Sequence, residues 1–197
     1  NPAYRMPASG RFGGFGGTMR NVGINPPNGV VMNYFLKNIT DSTRLTVEIS
    51  DKNKKLIKTF ATNSKENKIE INKGMNQFTW DMNYPPADRV EGLILWNGFV
   101  RGPKAAPGEY FAKFKSGSDS VEVGFAILGD PNYKTTNADY EEQVNFLLTV
   151  RDKFSEVMKA MKNIKEVRQQ LTDFNARIGK DIPSEIKQKI DTINKQM

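Results

Sequence analysis

The chain's 197 residues, 38% apolar and 26% charged, are enough for one or two small soluble domains with real cores. Cysteine and histidine are both absent, which excludes disulfides, thiolate nucleophiles, the usual zinc sites and any histidine-based triad or general base. The formal charge is +7, of which +6 falls in residues 1–136 and +1 in residues 137–197, spread along the chain rather than gathered on one helix. Nucleic acid is therefore not expected as a partner.

In chain order, residues 1–28 read as an extended, Gly/Pro-rich lead-in. They hold Pro2, Pro7, Pro26 and Pro27, together with Gly10, Gly13, Gly14, Gly16, Gly17 and Gly23. Such a segment buries little and resists regular structure. The first residue is Asn1 and no signal-peptide pattern follows, which predicts an internal or processed piece of something larger. No apolar run approaches the ~18 residues of a membrane helix, so no membrane partner is expected.

From residue 29 to residue 130 the pattern is that of short strands. Val30 to Leu36 is β-rich, and Arg44 to Ile49 places Leu45, Val47 and Ile49 on one face. Asp51-Lys52-Asn53-Lys54 supplies a turn, and Leu56 to Phe60 returns as the second arm of a hairpin. Lys68 to Ile71 alternates, Lys73-Gly74 turns the chain, and Phe78 and Trp80 then share a face. Leu93 to Trp96, Tyr110 to Phe114 and Val121 to Ile127 complete a set of seven or eight strands. That count, with turns at this spacing, predicts an antiparallel immunoglobulin-like β-sandwich.

Gly129-Asp130-Pro131-Asn132 breaks the pattern, and residues 137–197 read as a long helical hairpin. Asn137 to Ile178 contains neither proline nor glycine; unbroken, it would span roughly 60 Å. Val157, Ala160, Ile164, Val167, Leu171, Phe174 and Ile178 recur at spacings of three and four, a heptad seam. Gly179 to Ile182 ends the helix, and Pro183 suits the first turn of another. Ile186, Ile190, Ile193 and Met197 form a matching stripe, the second arm of an antiparallel helical hairpin, and whether a further helix follows is left open by the sequence.

One stretch carries most of the information. Lys73-Gly74-Met75-Asn76-Gln77-Phe78-Thr79-Trp80-Asp81 is a turn glycine leading into an alternating strand that ends in Trp-Asp. Arg101-Gly102-Pro103-Lys104-Ala105-Ala106-Pro107-Gly108-Glu109-Tyr110 is a loop whose Pro-Gly turn opens a second strand. These halves resemble the immunoglobulin-like domain of the flagellar hook-capping type. With Asn25-Pro26-Pro27-Asn28-Gly29-Val30-Val31 entering Tyr34-Phe35-Leu36, and with the long helix, the order of motifs resembles the C-terminal region of bacterial sortilin-like propeller proteins. Those proteins are often labelled BNR-repeat or glycosyl hydrolase. The resemblance implies a secreted or cell-envelope parent whose upstream propeller carries any substrate site and is a partner of this region. The chain holds no Asp-box repeat, so the hydrolase label does not transfer.

Catalysis is not expected, and no catalytic residue, metal ligand or cofactor is assigned. Glycoside hydrolysis needs two carboxylates across a cleft; Asp81, Asp88 and Glu91 lie near Trp80, Tyr84 and Trp96 in sequence, but they read more simply as loop caps beside core aromatics. If exposed and coplanar, Trp80, Tyr84 and Trp96 could instead stack a sugar, which makes a carbohydrate-binding module the alternative function. Arg11-Phe12-Gly13-Gly14-Phe15-Gly16-Gly17 has the composition of single-strand RNA binders, but only in one copy. Asn38-Ile39-Thr40 is formally a glycosylation sequon. The strongest candidate for a partner surface is a second apolar stripe of the long helix, Tyr140, Val144, Leu147, Phe154, Met158 and Met161, offset from the heptad seam. Self-association through the helices is one use of it. The expected function is an accessory interaction module that packs on the propeller or mediates assembly.

Overall fold

A computed structural model describes residues 3–5, 28–93, 101–178 and 183–196. Trp96, the Gly-rich run 10–17 and the helix-ending segment 179–182 lie outside the described residues. The chain forms two compact units: residues 1–85 with 101–148, and residues 86–100 with 149–197.

The first unit is built on two sheets. Strands β1 (Ala3–Arg5), β3 (Thr46–Asp51), β4 (Leu56–Ala61), β6 (Gly108–Ser116) and β7 (Asp119–Gly129) form one sheet in the order β1-β7-β6-β3-β4. Strands β2 (Val30–Leu36) and β5 (Gly74–Trp80) form a second, two-stranded sheet. Along β3, Val47 and Ile49 are wholly buried while their neighbours are not, the period-two pattern that the sequence shows.

The expected hairpin is present: β3 pairs antiparallel with β4. Its turn closes because the Asp51 carboxylate accepts from the backbone N–H groups of Asn53 and Lys55, both at 2.9 Å. Gly74 opens β5 at φ +96°, a conformation that disfavours any side chain.

Four expectations are corrected. The lead-in is not wholly without regular structure, because Ala3–Arg5 pairs with Ile127–Gly129. That pairing is parallel, so the larger sheet is mixed rather than antiparallel. Lys68–Ile71 makes a single bridge, Lys68 to Ala61, and no strand; its buried Ile69 packs into the core from a loop. Leu93 is likewise not in a strand.

Both sheets contribute to one core. Val30, Leu45, Val47, Ile49, Ile57, Phe60, Trp80, Tyr110 and Ile127 belong to a single buried cluster. Ring contacts join the sheets: Phe60 to Phe78 with centroids 4.6 Å apart, and Trp80 to Tyr110 at 5.8 Å. These edge-on packings suit the quadrupoles of the rings.

Helix α1 runs from Asn137 to Ile178 and α2 from Ser184 to Gln196, as the absence of proline and glycine predicts. A reciprocal cap starts α1. Thr136 Oγ1 accepts from the Asp139 N–H at 3.2 Å, and the Asp139 carboxylate accepts from the Thr136 N–H at 2.9 Å. The Thr136 hydroxyl also donates to the Asp139 carboxylate at 2.7 Å, and this bond, with that of the Thr136 N–H, holds the Asp139 carboxyl below its ordinary pKa. At α2 the Pro183 carbonyl accepts from Ile186 and Lys187. The first turns of α1 belong to the first unit and the rest to the second. Among the described residues, no helix is long and apolar enough to cross a membrane.

Candidate functional site

The Trp-Asp and Pro-Gly halves of the informative stretch meet in the first unit. Tyr84 donates its N–H to the Pro103 carbonyl at 2.9 Å, and Ala105 donates to Met82 at 2.7 Å. Gly102 permits this approach, since a Cβ there would lie 1.9 Å from the Tyr84 carbonyl oxygen. Trp80 is 0% exposed and donates its indole N–H to the Asn83 carbonyl at 3.2 Å. Tyr110 and Phe125 meet it edge-on. A wholly enclosed Trp80 offers no face to a sugar, so the stacking platform loses its first member. Tyr84 is half-buried.

The weighed carboxylates fall into local roles. Asp81 caps its own turn, accepting from the Asn83 N–H at 3.1 Å and from Asn83 Nδ2 at 2.7 Å. Asp88 belongs to the second unit, where Lys159 approaches its carboxylate at 3.4 Å and its N–H donates to Ser155 Oγ at 3.0 Å. Glu91 is exposed in the same unit.

A cavity of about 200 Å³ opens in the first unit beside Asp51, Tyr84, Tyr110, Glu141 and Asn145. Lys52 bonds Glu141 there at 2.9 Å, which raises the lysine pKa. The Tyr110 hydroxyl donates to the Ala106 carbonyl at 2.7 Å, and burial pushes its pKa up. Arg5 lies 4.5 Å from the Tyr140 ring centroid and donates to Gln143 Oε1 at 2.9 Å. Its Nε is buried with no hydrogen-bond partner, and burial lowers the guanidinium pKa. These contacts fasten the first turns of α1 to the sheet. Among the described residues, no group of three or more carboxylates is placed to hold a metal ion.

The proposed partner stripe of α1 divides between the units. In the first, Val144 is buried, Tyr140 is half-buried under Arg5, and Leu147 is exposed. In the second, Met158 is buried, Phe154 is half-buried and Met161 is exposed. The seam read as a hairpin contact is the more open one: Val157 is 50% exposed, Ile164 36%, Val167 40% and Phe174 40%. On α2, Ile190 is buried, whereas Ile186 and Ile193 are each 40% exposed. The heptad spacing marks these residues in the sequence; their exposure is what the structure adds. The Gly102 approach was not foreseen, and its only sequence signal is a glycine before a proline.

No family model, no curated protein and no solved structure matches the chain.

Proposed function

We propose that the chain is a non-catalytic interaction module, an immunoglobulin-like β-sandwich followed by a helical pair, that mediates assembly. The observation that carries this reading is the open apolar row on the helices of the second unit. Val157, Ile164, Val167 and Phe174 remain 36–50% exposed although α2 belongs to the same unit. A continuous apolar row left to water favours burial against another surface.

The sandwich reading is supported by two sheets that share a core and by the Tyr110 hydroxyl bonded to the backbone four residues upstream. The latter is the pattern of a tyrosine corner. The resemblance to the C-terminal region of bacterial sortilin-like propeller proteins supplies the setting: a larger secreted or cell-envelope parent with an upstream propeller that this module also contacts. The sugar-binding alternative is weakened by the burial of Trp80.

The test is solution mass by light scattering across a concentration series. Assembly predicts a mass that climbs from 22.2 kDa as concentration rises. A mass fixed at 22.2 kDa, in a chain that also fails to bind the preceding part of its parent, would remove the reading.

A further inference from the structure

We infer that the occupant of the open seam on α1 is the same seam of a second copy, running antiparallel and centred between Ile164 and Val167. This rests on the assembly reading above and specifies its geometry.

Size complementarity is the first argument. In the heptad frame Val157, Ile164 and Leu171 take one core position and Ala160, Val167 and Phe174 the other. A parallel pair would set each residue against itself. Ala160 would then face Ala160 across a void, and Phe174 would face Phe174 in a crowded layer. The antiparallel pair centred as stated sets Val157 against Phe174, Ala160 against Leu171 and Ile164 against Val167. Each of these layers then joins a larger side chain to a smaller one, and the two-fold axis repeats each layer; position 178, the last of the seam, falls beyond them opposite Lys153 of the other copy. The six layers span about 26 Å of helix.

Charge is the second argument, and it selects the same register. The flanking position that meets its own kind across an antiparallel pair holds Glu156, Asn163, Gln170 and Arg177. In this register Glu156 of one copy meets Arg177 of the other at both ends, and Asn163 meets Gln170. On the opposite flank Met161 meets the aliphatic stem of Arg168, both residues lining a groove of about 490 Å³ beside the seam. No like charges are brought together. Glu156 and Arg177 are exposed and, among the described residues, contact only their own helix, Lys153 to Glu156 at 2.5 Å and Arg177 Nε to the Asp173 carbonyl at 3.3 Å. Each can turn to a partner without unmaking the fold.

The absence of cysteine makes the register directly readable. I164C and V167C are prepared as separate full-length chains and oxidised alone and mixed. In the antiparallel register only the mixture forms a disulfide-linked dimer, because position 164 faces 167 and neither faces itself. In parallel with this, E156K and R177E should each raise the dissociation constant about tenfold, and the double variant should restore it, since reversed charges meet again.

Self-crosslinking by each single variant would overturn the antiparallel register. A dimer by mass that crosslinks in neither arrangement would place the contact on another surface, and would leave the assembly reading standing. A mass of 22.2 kDa at every concentration would overturn the inference outright and assign the seam to a different chain.

Discussion

Val47 and Val157 are the same side chain in opposite circumstances. Val47 sits in β3 with no exposed surface, whereas Val157 sits on α1 half open to water. Full burial of such a side chain is worth about 1.5–3 kcal/mol, so the first valine contributes to the fold and the second leaves much of that energy unrealised. The contrast runs through the two units. Trp80, Ile49 and Ile127 close a core drawn from both sheets, while Val167, Phe174 and Ile186 keep apolar surface outward at regular intervals. The β unit closes a core within itself, although Phe35, Met75 and Val121 on its surface stay 63–69% exposed. The helical unit buries Met158 and Ile190 but leaves its heptad row of Val157, Ile164, Val167 and Phe174 36–50% exposed.

The comparison breaks most decisively at Trp80. Trp80→Ala should cost about 3–5 kcal/mol of unfolding free energy, since it empties the centre of the shared core. Urea denaturation followed by circular dichroism measures it, and a loss under 1 kcal/mol would show that the two sheets do not depend on this side chain.

Gly102→Ala comes next. The added methyl would meet the Tyr84 carbonyl oxygen at 1.9 Å, and the backbone on both sides must yield. A cost of about 3 kcal/mol is expected, comparable to severe overpacking. An unchanged thermal midpoint would mean that the two loop segments separate freely.

The start of α1 offers a smaller and pH-dependent effect. Thr136→Ala should cost about 1 kcal/mol through loss of the cap. Asp139 has a folded-state pKa below its unfolded value, so its contribution is fully present above the unfolded pKa and fades as pH falls through the folded one. Stability against acid, measured below about pH 4, should therefore decline less steeply in the variant than in the parent chain. Parallel acid limbs would show that the reciprocal cap does not form in solution.

The smallest effect is at the helical seam. Val157→Ala, measured at concentrations too low for association, should change stability by less than about 0.5 kcal/mol. A loss above 2 kcal/mol would mean that Val157 is enclosed after all, and would erase the contrast with Val47.

What the sequence made legible follows from periodicity. The β3–β4 hairpin showed itself because Leu45, Val47 and Ile49 alternate and Asp51 begins a turn. Both helices showed themselves because a long window without proline or glycine ends near Pro183. Periodicity fails where a strand is too short to have a period. Ala3–Arg5, set between Pro2 and Pro7, becomes a strand only because β7 offers its edge. It also misleads where alternation has no neighbour to pair with, as at Lys68–Ile71. Burial is legible only as a tendency. Trp80 could be read as core or as a ligand platform until its neighbours were known, and the α1 stripe could not be divided into buried Val144 and Met158 and open Leu147 and Met161 from spacing alone.

The parallel pairing of Ala3–Arg5 with Ile127–Gly129 also sets an order in time. A ribosome delivers a chain from its N-terminal side, so of the described strands β1 emerges before the others and its partner β7 emerges last. The hairpin of β3 and β4 can close while translation continues. The edge formed by residues 3–5 must stay unpaired until Gly129 has left the exit tunnel, so β1 is the last of these strands to find its neighbour.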